Sequence, residues 1–181
     1  MKQPVDGNLL SPLPIVLIGA MVNDRPNYMV VGYICPFDFG KYVFLSLYKK
    51  RYTRIGIHEK KTFSVNIPSE SLIKETNICG SKSGRDVDKG ELFDTFFGEL
   101  KTAPMIQQCP INIECELADV LDYGDNDGII GRVIKSYADS QYFAEEDKLD
   151  FRKIHPILWA TGGDFNYYSL GERLEDSEEE V

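Results

Sequence analysis

Apolar residues run from Ile15 to Met21, stop at Asn23-Asp24-Arg25-Pro26-Asn27, and resume over Tyr28–Cys35. The pattern predicts two strands of a hairpin with a turn between them. Tyr42–Tyr48 (YVFLSLY) is almost wholly aromatic and aliphatic, as expected of a strand buried on both faces. Thr53 is placed to cap a short helix through Lys60, with Ile55 and Ile57 facing inward. Thr62–Ile67 alternates and stops at Pro68, which predicts a strand end. Ser69 or Ser71 then caps a second helix to Cys79, with Gly80 as its stop.

The second half keeps the strand period. Ile111, Ile113, Cys115 and Leu117 alternate with Asn112, Glu114 and Glu116, predicting a half-buried strand with one wet face. Asp122–Gly128 reads as a turn and Ile129–Tyr137 as the returning strand. Ile157–Ala160, Gly162-Gly163 and Tyr167-Tyr168 suggest a closing pair of short segments. Six or more strands with only short helices between them, and no repeated strand–helix–strand spacing, predict a mainly β barrel and not a doubly wound sheet.

Length and charge narrow the picture. The 181 residues suit one domain, assigned to residues 1–171, with an acidic tail over 172–181. Of the net charge of −9, more than half comes from that tail, which holds six acids and one base. Such a balance offers no footprint for nucleic acid or an anionic membrane. The apolar stretch Leu13–Val22 is too short to span a bilayer and lacks a signal-peptide cleavage site. Cys35, Cys79, Cys109 and Cys115 make no C-x-x-C pair and no metal spacing, so reduced thiols in a cytoplasmic protein are the simplest account. Cys35 and Cys115 read as small core residues, Trp159 as core, and His155 as structural.

The strongest local chemistry lies in Ser81-Lys82-Ser83-Gly84-Arg85-Asp86-Val87-Asp88-Lys89. Hydroxyls, three bases and a glycine free to adopt φ > 0 can cradle a phosphate dianion, although this is no P-loop. Taken alone, a polar surface loop is the better account. Asp86 and Asp88 would repel a phosphate and should turn away to cap a turn or pair with a base. Asp125-Asn126-Asp127-Gly128 has a superficial calcium-loop look, but with Gly128 sixth the end positions become Tyr123 and Ile134. A hairpin turn is the reading, and no metal site is expected.

In combination these pieces say more. Pro14–Ile18, Pro26-Asn27-Tyr28-Met29, Lys50-Arg51-Tyr52-Thr53, Phe63-Ser64-Val65-Asn66-Ile67-Pro68, and Cys79-Gly80 with Ser83-Gly84-Arg85-Asp86-Val87-Asp88-Lys89 follow one another in a specific order. In that order the chain resembles the flavin reductase-like, FMN-binding split-barrel family along nearly its whole length. The resemblance implies a six-stranded antiparallel split barrel that forms a homodimer, with FMN near the dimer interface. It implies that Asn27 and the strand Tyr28, Met29, Val30, Val31 to Tyr33 line the isoalloxazine, Tyr33 packing on the ring system. It makes Arg51 and Thr53 one phosphate-side group and Ser83, Gly84 and Lys89 the other, and brings Tyr167 late in the chain toward the flavin. Two histidines common in the family are replaced by Lys50 and by the loop at Asn126, which can donate a hydrogen bond but cannot switch charge near neutral pH.

Hydride transfer from a reduced nicotinamide to flavin N5 needs stacking at about 3–3.5 Å and orientation, not a general acid or a nucleophile. No catalytic residue is therefore assigned. No Rossmann fingerprint is present, so NAD(P)H would bind over an exposed flavin face. With no second nucleotide-binding signature, FMN is favoured over FAD. Three functions follow: an NAD(P)H-dependent flavin oxidoreductase, a flavoredoxin-type carrier whose acidic surface suits a basic redox protein, and a non-catalytic ligand-binding dimer.

Overall fold

The computed structural model describes residues 1–4, 6–7, 9–144, 148–161 and 166–173. Gly162-Gly163 and residues 174–181 of the acidic tail lie outside the described residues. The strands are β1 (Leu13–Pro14), β2 (Val16–Val22), β3 (Arg25–Val31), β4 (Ile34–Phe37), β5 (Tyr42–Tyr48), β6 (Thr62–Ile67), β7 (Thr95–Phe96), β8 (Met105–Ile106), β9 (Ile111–Tyr123), β10 (Asn126–Ala138), β11 (Ile157–Ala160) and β12 (Asn166–Ser169). Three helices interrupt them, α1 (Tyr52–Lys60), α2 (Ile73–Ser81) and the single turn α3 (Phe151–Ile154).

Seven strands form the main sheet in the order β3-β2-β6-β9-β10-β5-β4, every pair antiparallel. The two edges of that sheet, β3 and β4, are consecutive in the chain and separated only by Gly32-Tyr33. Three peptide links reach at most about 11 Å, so the sheet must curl until its edges meet. This is the expected mainly β, antiparallel barrel, but with seven strands in place of six. The extra strand arises because Tyr28–Cys35 is not continuous: it breaks at Gly32, where an added Cβ would meet Trp159 Cε3 at 2.7 Å. A side sheet β1-β11-β12 packs at this seam, and β7 and β8 pair separately.

The β2–β3 turn is only Asn23-Asp24, both at positive φ (50° and 58°), the primed hairpin turn that those two residue types tolerate. Arg25, Pro26 and Asn27, expected in the turn, already belong to β3. Pro26 can do so because an edge strand has a side that needs no N–H. Val16, Ile18, Val43, Leu45, Leu47, Phe63, Val65, Cys115 and Ile129 fill the barrel, and Ile57 of α1 packs onto them.

Several expectations change on folding. β5 is fully buried on one face only: on the other, Tyr42, Phe44 and Ser46 are half-buried and Tyr48 is exposed. Edge strand β4 likewise leaves Cys35 exposed, not in the core. All four cysteines are free. The expected wet face of β9 is wet only at Glu116, which pairs with Arg132; Asn112 and Glu114 are buried beneath residues 93–109. There the Glu114 carboxylate accepts from the amides of Glu99 (3.0 Å) and Leu100 (2.7 Å) and from the Tyr137 hydroxyl (2.6 Å). Asn66 and Asn112 satisfy the backbone of Ile106 in the same way. Burial of polar side chains is tolerated because each is paired. Among the described residues no helix is long and apolar enough to cross a membrane.

Candidate functional site

At the barrel seam the chain leaves a cleft of about 560 Å³. Its wall is the edge strand, Met29, Val30 and Val31, continuing into Gly32 and Tyr33. Asn126 at the start of β10 and Tyr167 of β12 line it too. So does Trp159, which is half-buried and not core, set edge-on to Tyr33 with ring centroids 5.6 Å apart. Burial raises the Tyr167 phenol above its ordinary pKa, so the ring stays neutral.

A second hollow of about 370 Å³ continues from the first, sharing Met29, Tyr48, Arg51 and Ser81. It gathers Asn27, Thr53, Ser83, Gly84 and Lys89, which are far apart in sequence. Thr53 does not cap α1. The helix starts one residue earlier, with Arg51 at its N-cap, no side-chain cap and no acid in its first turn. Thr53 is instead buried inside that turn, where its hydroxyl accepts from Asn27 Nδ2 at 2.7 Å and ties α1 to β3. Ile57 is buried while Ile55 is only half-buried, because two residues apart on a helix cannot share a face. The first-turn N–H groups of α1 are thus left for another acceptor.

Gly84 is required for another reason than expected. Its φ is not positive; an added Cβ would strike Asn27 Oδ1 and come within 2.7 Å of Tyr52 Cδ1. The Ser83 hydroxyl accepts from the Arg85 amide at 3.2 Å, an ST turn that shapes the loop. Asp88 turns away, pairing with Arg25 at 3.3 Å and accepting from the Gly90 amide at 3.0 Å.

Lys89 is not an exposed loop residue: it is 3% exposed, and its ammonium donates to the Cys79 carbonyl at 2.8 Å. Helix α2 reaches Ser81, running through Gly80, which lies against Val30 and does not stop it. No side chain caps α2; Ser69 and Ser71 instead bond each other beside a preceding single turn. Burial, and then the positive charge of Arg51, push the Lys89 pKa down, with the Cys79 thiol opposing. Among the described residues Lys89 makes no ion pair, and no Asp or Glu lines either hollow. The arrangement is a buried cation and an uncapped helix N-terminus facing one space, opening onto an aromatic cleft. It suits a flat heterocycle carrying a phosphate.

Tyr28 is the one expected side chain that turns elsewhere. It is fully buried, edge-on to Phe93 and bonded to the Thr95 hydroxyl at 2.8 Å, in a cluster with Leu17, Cys79 and Ile106.

The flavin reductase-like domain family matches residues 9–167. The chain belongs to this family. It superposes on a flavoredoxin from Methanosarcina acetivorans with TM-score 0.92 and 35% identity, covering 99% of this chain and 97% of that one. The flavoredoxin of Desulfovibrio vulgaris (Miyazaki F) gives TM-score 0.90 and 26% identity over 99% of both chains. An FMN-binding protein from Thermus thermophilus shares the fold, with TM-score 0.80 and 22% identity over 97% of this chain and 96% of that one.

Sequence reading missed Trp159, Tyr48 and Asn77 as lining residues and had Ser81 only as the first residue of the Ser81–Lys89 loop. Trp159 carried one usable signal: it is the chain's lone tryptophan and shares the closing segment with the expected Tyr167, its register partner. Asn77 carried none, since its exposure depends on how α2 lies along β3. No cluster of three or more His, Cys, Asp or Glu that could hold a metal occurs among the described residues.

Proposed function

We propose that this flavin reductase-like protein is a cytoplasmic homodimer that binds FMN in the joined hollows and reduces it with NAD(P)H. The observation that carries the reading is Lys89. A buried ammonium without a carboxylate, opposite the uncapped first turn of α1, calls for an anion. Arg51, the Thr53 hydroxyl and the backbone of Ser83-Gly84 stand around the same space and would hold the phosphate. The edge-strand backbone from Met29 to Tyr33 would meet the polar rim of the isoalloxazine, with Tyr33, Trp159 and Tyr167 as apolar walls and Asn126 as a further donor. A volume of about 560 Å³ is in the usual range of about 300–1,000 Å³ for such ligands. Bound there, FMN would supply the acceptor for a hydride, two electrons and one proton, from the reduced nicotinamide.

The protein's own part is positioning and exclusion of water, with no acid, base or nucleophile required. Homodimerisation would cover the open outer face formed by Phe37, Tyr42, Phe44, Leu121, Tyr123 and Ile130, which continues directly into the cleft through Tyr48. A flavoredoxin-type electron carrier is the second reading, favoured by the two solved flavoredoxins that this chain resembles.

Flavin absorbance of the purified protein and an FMN titration test the cofactor. A colourless preparation that takes up no FMN overturns the reading. Anaerobic bleaching on the catalytic timescale with NADH or NADPH supports the reductase, whereas bleaching only by a reduced protein partner supports the carrier.

A further inference from the structure

The second hollow carries more positive charge than one phosphate needs. Lys50, Arg51, Lys82, Arg85 and Lys89 all line it, without a single acid, in a chain where 29 acids outnumber 20 bases. On the FMN reading, the phosphate dianion is neutralised by Lys89 and Arg51. Lys50, Lys82 and Arg85 then remain at the rim, all exposed and, among the described residues, in no ion pair.

Two of these are not loosely solvated. The Arg85 guanidinium lies over the Tyr52 ring at 5.0 Å and donates to the Lys50 carbonyl at 3.3 Å, locking the two loops together. The Lys50 ammonium lies over the Tyr48 ring at 5.8 Å, and Tyr48 lines both hollows. Ring stacking and a backbone acceptor thus hold the charges in place where carboxylates would otherwise do so. A rim of like charges with no acid in the hollow it lines is self-repulsive, even with Asp86 and Asp88 on the far side of the loop, and an incoming polyanion relieves that repulsion.

We infer that Lys50, Lys82 and Arg85 form a second anion subsite, at the rim of the phosphate hollow, for a phosphate group of the reduced nicotinamide dinucleotide. This rests on the FMN reading and adds the residues that select the electron donor. A phosphate of the dinucleotide can come from its bridging pyrophosphate, common to NADH and NADPH, or from the 2′-phosphate of NADPH alone. In either case the charge anchors the donor beside the aromatic cleft without a dinucleotide-binding domain.

The test is calorimetric titration of FMN-loaded protein with 5′-ADP and with 2′,5′-ADP, wild type against Lys50→Ala/Lys82→Ala. The expected result is that at least one adenylate binds the wild type and weakens about tenfold or more in the variant, as for loss of charge-assisted contacts. FMN is held saturating in both proteins and its occupancy followed by flavin absorbance, since both lysines line the hollow assigned to the flavin phosphate and their loss also weakens FMN. Preference for 2′,5′-ADP identifies the 2′-phosphate as the anchor, and preference for 5′-ADP, which alone of the two carries a diphosphate, identifies the pyrophosphate; equal binding identifies a single phosphate common to both, and NADPH and NADH kinetics should follow the same order. Failure of both adenylates to bind, or equal binding by variant and wild type, overturns the inference while leaving FMN binding intact. A protein that takes up no FMN removes the underlying reading, and the inference with it.

Discussion

The Lys89 ammonium donates to the Cys79 carbonyl at 2.8 Å, so one lysine faces both the last turn of α2 and the second hollow. The cation favours the negative end of the helix dipole, and its remaining donors are free for a ligand. A residue set this way has a share in stability as well as in binding.

Lys89→Ala is therefore expected to weaken FMN about ten- to hundredfold and riboflavin, which lacks the phosphate, hardly at all. The apo protein should also lose on the order of 1 kcal/mol through the missing hydrogen bond. Parallel fluorescence titrations of both ligands, with urea unfolding, check this. Equal losses for the two ligands would leave Lys89 with only its helix-end role.

The pH dependence of Lys89 has opposite signs in the two states of the site. Its folded pKa lies below the ordinary 10.5, because burial disfavours the charged form. The cost of burying the charge is present below the folded pKa and fades as pH rises toward 10.5, so the apo fold gains stability there. FMN affinity should fall over the same rise, since the neutral amine no longer pairs with phosphate. In Lys89→Met both dependences should flatten.

Gly32→Ala probes the other end of the site. Its new Cβ would press on Trp159 Cε3, at 2.7 Å, and overpacking of this kind costs about 1–3 kcal/mol. FMN and riboflavin should weaken together, because the shared ring system is what Trp159 faces. Loss of FMN alone would contradict the assignment of the aromatic cleft to the isoalloxazine.

Buried Asp127 accepts from Arg54 Nε and from His58 Nε2 (3.1 Å), binding β10 to α1 beside Asn126. Burial raises its pKa, but the hydrogen bond and charge of Arg54, with those of His58, outweigh that and hold it below 3.8. Its stabilisation is full above 3.8 and is lost as pH falls through the lowered value. Asp127→Asn should lower stability at neutral pH, a gap that narrows as pH falls through the lowered Asp127 value. Denaturant midpoints across pH for both proteins measure it.

Tyr123→Lys with Leu121→Asp places charge on the open outer face, where both side chains are exposed. Light scattering should give a dimer for wild type and a monomer for the double variant. A wild-type monomer with FMN fully bound would refute the dimer.

Most strands were legible because period-two alternation and turn residues are local properties, as in Thr62–Ile67 ending at Pro68. The break at Gly32 was not, since it depends on Trp159, distant in sequence but adjacent in space. The burial of Glu114 on β9 was missed for the same reason: it looks solvated until residues 99 and 100 fold over it. At the site, the residue types were readable but their roles were not. Nothing local distinguishes a buried Lys89 from an exposed one, or a Thr53 that caps from one that bonds Asn27.

The seam between β3 and β4 also decides how variation in this protein will look. If the ligand is recognised there by main-chain groups of an edge strand, most side-chain exchanges at Val30 or Val31 leave those groups in place. An alanine scan read for binding alone would register the strand as silent, with buried Val31 showing its cost in stability and not in affinity. Only changes that remove an amide hydrogen or alter the path of the backbone, proline above all, would expose how much recognition that stretch carries.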